Sequence, residues 1–119
     1  MEKDPRAFDA LYIAWKMEAH PDSAEALQQV LSVGEGRRLY RLRSWIATRG
    51  EARALLIPEA PLEEIAEALR SPGSETISFR WIYGPTRCAA AAWEIETTPV
   101  RLGLAGRPEE WRYSSAFND

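Results

Sequence analysis

At 119 residues the chain is long enough for one hydrophobic core, and 45% hydrophobic with 28% charged residues is the balance of a globular domain, which excludes a disordered tail. A net charge of −3 is not that of a generally basic nucleic-acid binder, whose nonspecific affinity comes from lysine and arginine neutralising phosphates. One cysteine, Cys88, excludes an internal disulfide, and beside the lone histidine, His20, it leaves no recognisable zinc-ligand set.

Leu11, Ile13, Trp15 and Met17 alternate onto one side of a first strand, which His20-Pro21-Asp22 ends. Ser23 is the expected N-cap of a helix carrying Ala24, Leu27, Val30 and Leu31 at helical spacing, stopped by Gly34 and Gly36. From Leu39 to Arg49 a second strand alternates Tyr40, Leu42, Ser44, Ile46 and Thr48 against Arg41, Arg43, Trp45, Ala47 and Arg49. Gly50 offers the hairpin turn, and Ala52–Ile57 returns as the third strand. Pro61 opens a helix with Leu62, Ile65, Ala66 and Leu69 on one stripe and Glu63, Glu64 and Glu67 near its N-terminus; Pro72-Gly73 breaks it.

Thr76–Tyr83 reads as a fourth strand with Ile77, Phe79, Trp81 and Tyr83 on one face. Gly84-Pro85 then opens an alanine-rich helix from Cys88 to Glu96, and Thr98-Pro99 reads as N-cap and first position of one more short helix. The order β-α-β-β-α-β predicts an α+β, ferredoxin-like sandwich in one domain over 1–119. It has a four-stranded antiparallel sheet, helices on one face and extra C-terminal helices. Trp15, Trp81 and Trp93 are expected in the packing, and Trp45 is expected exposed.

Charge is segregated along the chain. Between Arg37 and Arg53 six arginines face the single acid Glu51, a local +5, whereas Glu59–Glu67 holds four glutamates and no base. The candidate binding set is Arg37, Arg38, Arg41, Arg43, Trp45, Arg49 and Arg53. Guanidinium groups on an open sheet face would meet phosphates while Trp45 stacks on an unpaired base. The competing reading is a solvated strand whose arginine stems cover apolar surface. Cys88 among alanines reads as a small buried hydrophobe.

The C-terminal stretch Thr98-Pro99-Val100-Arg101-Leu102-Gly103-Leu104, followed by Pro108-Glu109-Glu110-Trp111-Arg112-Tyr113-Ser114-Ser115-Ala116, carries the most specific motif. It resembles the Asn-Pro-Val-Arg-x-Gly-Leu … Pro-Glu-x-Trp-x-x-Ser-Ser-Ala signature of the REP-associated tyrosine transposases, members of the HUH class of single-strand DNA transposases. Trp45–Pro58 resembles that family's second and third strands, and there the two metal-binding histidines fall on Glu51 and Arg53. The resemblance implies Mg²⁺ or Mn²⁺ as the family's cofactor. A glutamate still ligates such an ion, but an arginine has no lone pair to give, so we expect no cofactor here. Counted back without gaps from Pro99, the family's nucleophilic tyrosine falls on or next to Ile77 and Ser78. The tail residues also have a packing role open to them, with Trp111 as a plug and Ser114-Ser115 bonding backbone groups.

The resemblance thus implies a bacterial, transposase-like protein that binds single-stranded or hairpin DNA without catalytic residues. The alternative is a self-associating or partner-binding module, a homodimer through sheet edges, that keeps only the fold. No apolar run of about 18 residues and no charged-then-apolar leader is present, so we expect no membrane partner, no signal peptide and a cytoplasmic location.

Overall fold

Four strands, β1 (Ala10–Met17), β2 (Tyr40–Ala47), β3 (Glu51–Pro58) and β4 (Ser74–Ile82), pair antiparallel in the order β2-β3-β1-β4. That order, with helix α1 (Ser23–Gly36) between β1 and β2 and α2 (Leu62–Leu69) between β3 and β4, is the split βαβ arrangement expected of a ferredoxin-like sandwich. The computed structural model describes residues 10–17, 23–48, 51–69 and 74–117; His20, Arg49, Gly50 and Pro72-Gly73 lie outside them. No described helix is long and apolar enough to cross a membrane.

Strand alternation splits the apolar residues into two cores. Leu11, Ile13 and Trp15 of β1 join Leu56 of β3, Leu27 and Leu31 of α1, and Ile65 and Leu69 of α2, all essentially inaccessible. Each such side chain contributes roughly 1.5–3 kcal/mol by leaving water. Tyr12 of β1, Leu55 of β3 and Ile46 of β2 point the other way, onto helix α3 (Pro85–Arg101) through Cys88, Ala91 and Ile95. The buried, small Cys88 has the packing role its alanine neighbours suggest. Helices α1 and α2 therefore share one face of the sheet, and α3 lies across the other.

Helix α3 corrects the expectation of a break at Thr98-Pro99: it runs through Pro99 to Arg101. A proline inside a helix removes one N–H and crowds the preceding turn. Side chains add bonds to neighbouring carbonyls of that turn. Thr97 Oγ1 donates to Trp93 O at 2.9 Å, Thr98 Oγ1 to Glu94 O at 2.9 Å, and Arg101 Nη2 to Glu94 O at 2.6 Å.

Helix α1 likewise continues through Gly34, which the helical spacing alone made a stop. The left-handed residue lies beyond the helix, at Arg38 with φ 61°, while Leu39 N–H closes on Gly34 O at 3.1 Å. Gly34 serves a close approach: a Cβ there would collide with the Tyr40 hydroxyl. Tyr40 is fully buried and its hydroxyl donates to Leu31 O at 2.7 Å. Burial first, and then the charge of Glu35, push that hydroxyl's pKa well above the ordinary tyrosine range, so it stays a neutral donor. Replacing Gly34→Ala should therefore destabilise the fold by about 1–3 kcal/mol, measured by urea unfolding. An unchanged midpoint would show that Tyr40 is free to move aside.

Candidate nucleic-acid interface

The second strand does not present the face expected of it. An extra residue interrupts its pairing with β3 between Leu42, opposite Leu56, and Ser44, opposite Leu55. Such a bulge reverses the in-out alternation beyond it. Tyr40 and Leu42 meet the α1/α2 core, and so do Trp45 and Ala47, whereas Ser44 and Ile46 turn to α3. Arg41, between Tyr40 and Leu42, is thus on the α3 side, Arg43 stands in the bulge, and Trp45 is on the opposite side, half-buried. The single face of Arg41, Arg43, Trp45 and Arg49 is not formed by the first three, and Arg49 lies outside the described residues.

The arginines that remain exposed lie at the α1–β2 turn and along the edge strand. Arg37, Arg38 and Arg43 are exposed, with no ion pair among the described residues. Arg41 meets Glu59 at 3.7 Å with both side chains largely in solvent, an attraction worth under about 1 kcal/mol. That pair leaves Arg41 available to a stronger anion.

Arg53 is differently placed. It faces α3, with its Nε bonded to Glu51 Oε1, its Nη1 donating to the Tyr12 hydroxyl at 3.1 Å, and Nη1 also 3.5 Å from Glu94 Oε1. Burial works against the guanidinium's charge, but the bonds to Glu51 and Tyr12 outweigh it, and the pKa of Arg53 stands above the usual arginine value. The two positions that the family resemblance assigns to metal-binding histidines thus neutralise each other. Beside them a cleft of about 10 Å³, lined by Ile46, Thr48, Glu51, Arg53, Thr98 and Leu102, has room for about one water. Of Ile77 and Ser78, on or next to which the resemblance puts the nucleophilic tyrosine, Ser78 sits in the same cross-strand row, since Ala14 pairs with Arg53 on one side and Ser78 on the other.

The C-terminal signature residues close the outer edge of β2. Ala47 N–H bonds Tyr113 O at 2.8 Å, Trp45 N–H bonds Ser115 Oγ at 3.0 Å, and Ser115 N–H bonds Trp45 O at 2.9 Å, around a bridge between Ile46 and Ser114. Trp111 Nε1 donates to Ala47 O at 2.9 Å while its ring packs on the α3 core. Glu96 of α3 accepts from both Ser44 Oγ and Ser115 Oγ, each at 3.2 Å. Further along the strand Leu42 N–H is capped by Glu35 Oε2 at 2.7 Å. The motif therefore has a structural role, as backbone satisfaction of an edge strand.

Two tryptophans expected in the packing are exposed instead: Trp93 at 68% on α3, and Trp81 at 42% near the end of β4. The reason is coverage. Helix α2 has only eight residues, too few to shield the whole face of β4, and Trp93 lies on the side of α3 away from the sheet. Sequence reasoning gave no binding role to Arg80, Tyr83 and Arg87, which line a groove between β4 and α3. The only sequence signal for it was two arginines flanking an aromatic residue.

Arg53→Met, which keeps the stem and removes the charge, should cost about 1–2 kcal/mol in chemical denaturation by leaving Glu51 and Glu94 without their partner. Stability equal to the parent would mean that the cluster has no structural role.

No family model matches the chain, and no curated protein matches it. Among solved structures it is similar to one described as the REP-associated tyrosine transposase bound to a REP hairpin. The two align over 97% of this chain and 82% of the other, with a TM-score of 0.65 and 13% sequence identity. At that identity the likeness is one of fold, and this chain shares the fold of that hairpin-bound transposase.

Proposed function

We propose that this protein is a transposase-like DNA-binding protein that engages single-stranded or hairpin DNA and carries out no strand transfer. The observation that carries the reading is the likeness, over nearly the whole chain, to a transposase described as bound to a hairpin. The run Arg37, Arg38, Arg41 and Arg43 supports it, a cluster of exposed guanidinium groups on a chain whose total charge is negative.

The reading of inactivity rests on Glu51 and Arg53. A divalent ion needs lone-pair donors, and Arg53 supplies none while occupying the Glu51 carboxylate. The residues present do not fit the metal, so no chemical step is assigned to it, and Ile77 and Ser78, on or next to which the resemblance puts the tyrosine, leave the nucleophile unassigned.

A second reading, self-association, is supported by β4. It is a sheet edge along which nothing pairs among the described residues, with Trp81 exposed beside it. Sedimentation that shows a concentration-dependent dimer would favour this reading.

DNA binding is tested by fluorescence anisotropy with a hairpin carrying a single-stranded flank, against a duplex of equal length. Tight binding that prefers the hairpin is expected. Arg41→Ala together with Arg43→Ala should weaken it roughly tenfold and lower the log–log salt slope by about 0.7 for each phosphate no longer neutralised. Equal affinity for hairpin and duplex, or none for either, would contradict the reading.

A further inference from the structure

Strand β4 is an outer strand of the sheet, and its free side pairs with nothing among the described residues. Its partners in β1 fix the way its side chains turn: Ile77, Phe79 and Trp81 lie opposite Trp15, Ile13 and Leu11, on the side of α1 and α2. There a groove of about 430 Å³ is lined by Phe79 of β4 and by Leu62, Glu63, Ala66 and Glu67 of α2. Leu62 is 38% exposed and Phe79 half-buried, so the apolar surface of the groove reaches solvent. Both glutamates are exposed, and neither makes an ion pair among the described residues.

An unpaired strand edge offers its N–H and C=O groups to another extended chain. At the other edge, Glu35 and the C-terminal residues take up backbone groups of β2, whereas β4 has no such cover among the described residues. A strand added to β4 would send alternate side chains to the two sides of the sheet. On the α2 side they enter beside Phe79 and meet Glu63 and Glu67, like charges one helical turn apart on a helix without a base. That turn rises about 6 Å and two residues of a strand about 6.7 Å, so successive side chains of that face can each reach one carboxylate. On the α3 side they meet Ser78 and Arg80, both exposed, where a further cation is repelled. The edge therefore selects an extended chain with cations at alternate positions and neutral residues between them. A second copy paired antiparallel through β4 would instead bring its own Arg80 to the side of Arg80 and no cation to the glutamates.

We propose that the β4 edge and the α2 groove together dock an extended segment of a partner protein. Its backbone continues the sheet, and its lysines or arginines at alternate positions face Glu63 and Glu67. The docking site is independent of the DNA-binding reading, since it uses none of Arg37, Arg38, Arg41 and Arg43 and stands if the protein binds no DNA.

The probe is a fluorescein-labelled peptide as long as β4, nine residues alternating lysine with threonine, titrated with the full chain by anisotropy. Binding is expected. Glu63→Gln combined with Glu67→Gln should weaken it roughly tenfold, the loss of two exposed ion pairs, while Glu109→Gln with Glu110→Gln, the same change of charge elsewhere, should leave it unchanged. N-methylation of two adjacent central amides of the peptide keeps its charge but blocks sheet pairing, and should abolish binding. Glu63→Lys with Glu67→Lys should bind a peptide alternating glutamate with threonine, a gain that misfolding does not produce. In the complex of the unaltered protein, amide exchange over Ser74–Ile82 should slow while that over Tyr40–Ala47 stays the same. No binding by the unaltered protein would overturn the proposal. Equal affinity for the methylated peptide, or an equal loss in the Glu109 and Glu110 variant, would reduce the interaction to general charge attraction and overturn it as well. A concentration-dependent dimer with β4 amides already protected in the absence of peptide would give the edge to a second copy, with the same consequence.

Discussion

The extra residue in β2 between Leu42 and Ser44 decides which core each later residue of that strand enters. Without it, Ser44 and Ile46 would follow Tyr40 and Leu42 into the α1/α2 core, and Trp45 would turn toward α3. With it, Ile46 seats beneath Ile95 and its neighbours, and Ser44 reaches Glu96 on α3. Glu96 also receives Ser115, so one carboxylate links the bulged strand, α3 and the C-terminal tail. The tail then satisfies the outward backbone groups of Trp45 and Ala47. Bulge, helix and tail are mutually dependent, since shifting the strand by one residue would exchange its two faces.

Much of the fold was legible because its signals are local and periodic. The alternation of Leu11, Ile13 and Trp15 and the helical spacing of Leu27 and Leu31 need only the residues that carry them. The bulge at Arg43 was not legible, because an extra residue in a strand leaves no mark on composition and is fixed by pairing with Leu55 and Leu56 of another strand. Gly34 gives the same lesson from the other side. A glycine near a helix end reads as a stop, yet here it admits the Tyr40 ring from a distant strand. Thr98 misled in the same way, as a cap by type and as a carbonyl partner within a continuous helix in fact.

The candidate site was legible as charge and illegible as surface. Counting arginines between Arg37 and Arg53 located a basic segment, but the fold divides it: Arg37, Arg38 and Arg43 remain in solvent, whereas Arg53 is drawn under α3 among Glu51, Tyr12 and Glu94. Conversely Arg80 and Arg87 lie apart in sequence and converge only because β4 and α3 flank one groove. An acidic chain can thus carry a basic surface, since what a phosphate meets is the local set of unpaired guanidinium groups and not the total.

The proposed function stands on an internal ion pair at positions 51 and 53, where the family resemblance would put metal-binding histidines. The most direct measurement incubates the protein with the flanked hairpin and Mn²⁺ and divides the sample between a native and a denaturing gel. The account predicts a complex on the native gel, and on the denaturing gel free protein and an uncut oligonucleotide. A covalent protein–DNA adduct, or Mn²⁺-dependent cleavage abolished by Tyr12→Phe or Tyr83→Phe, would contradict it.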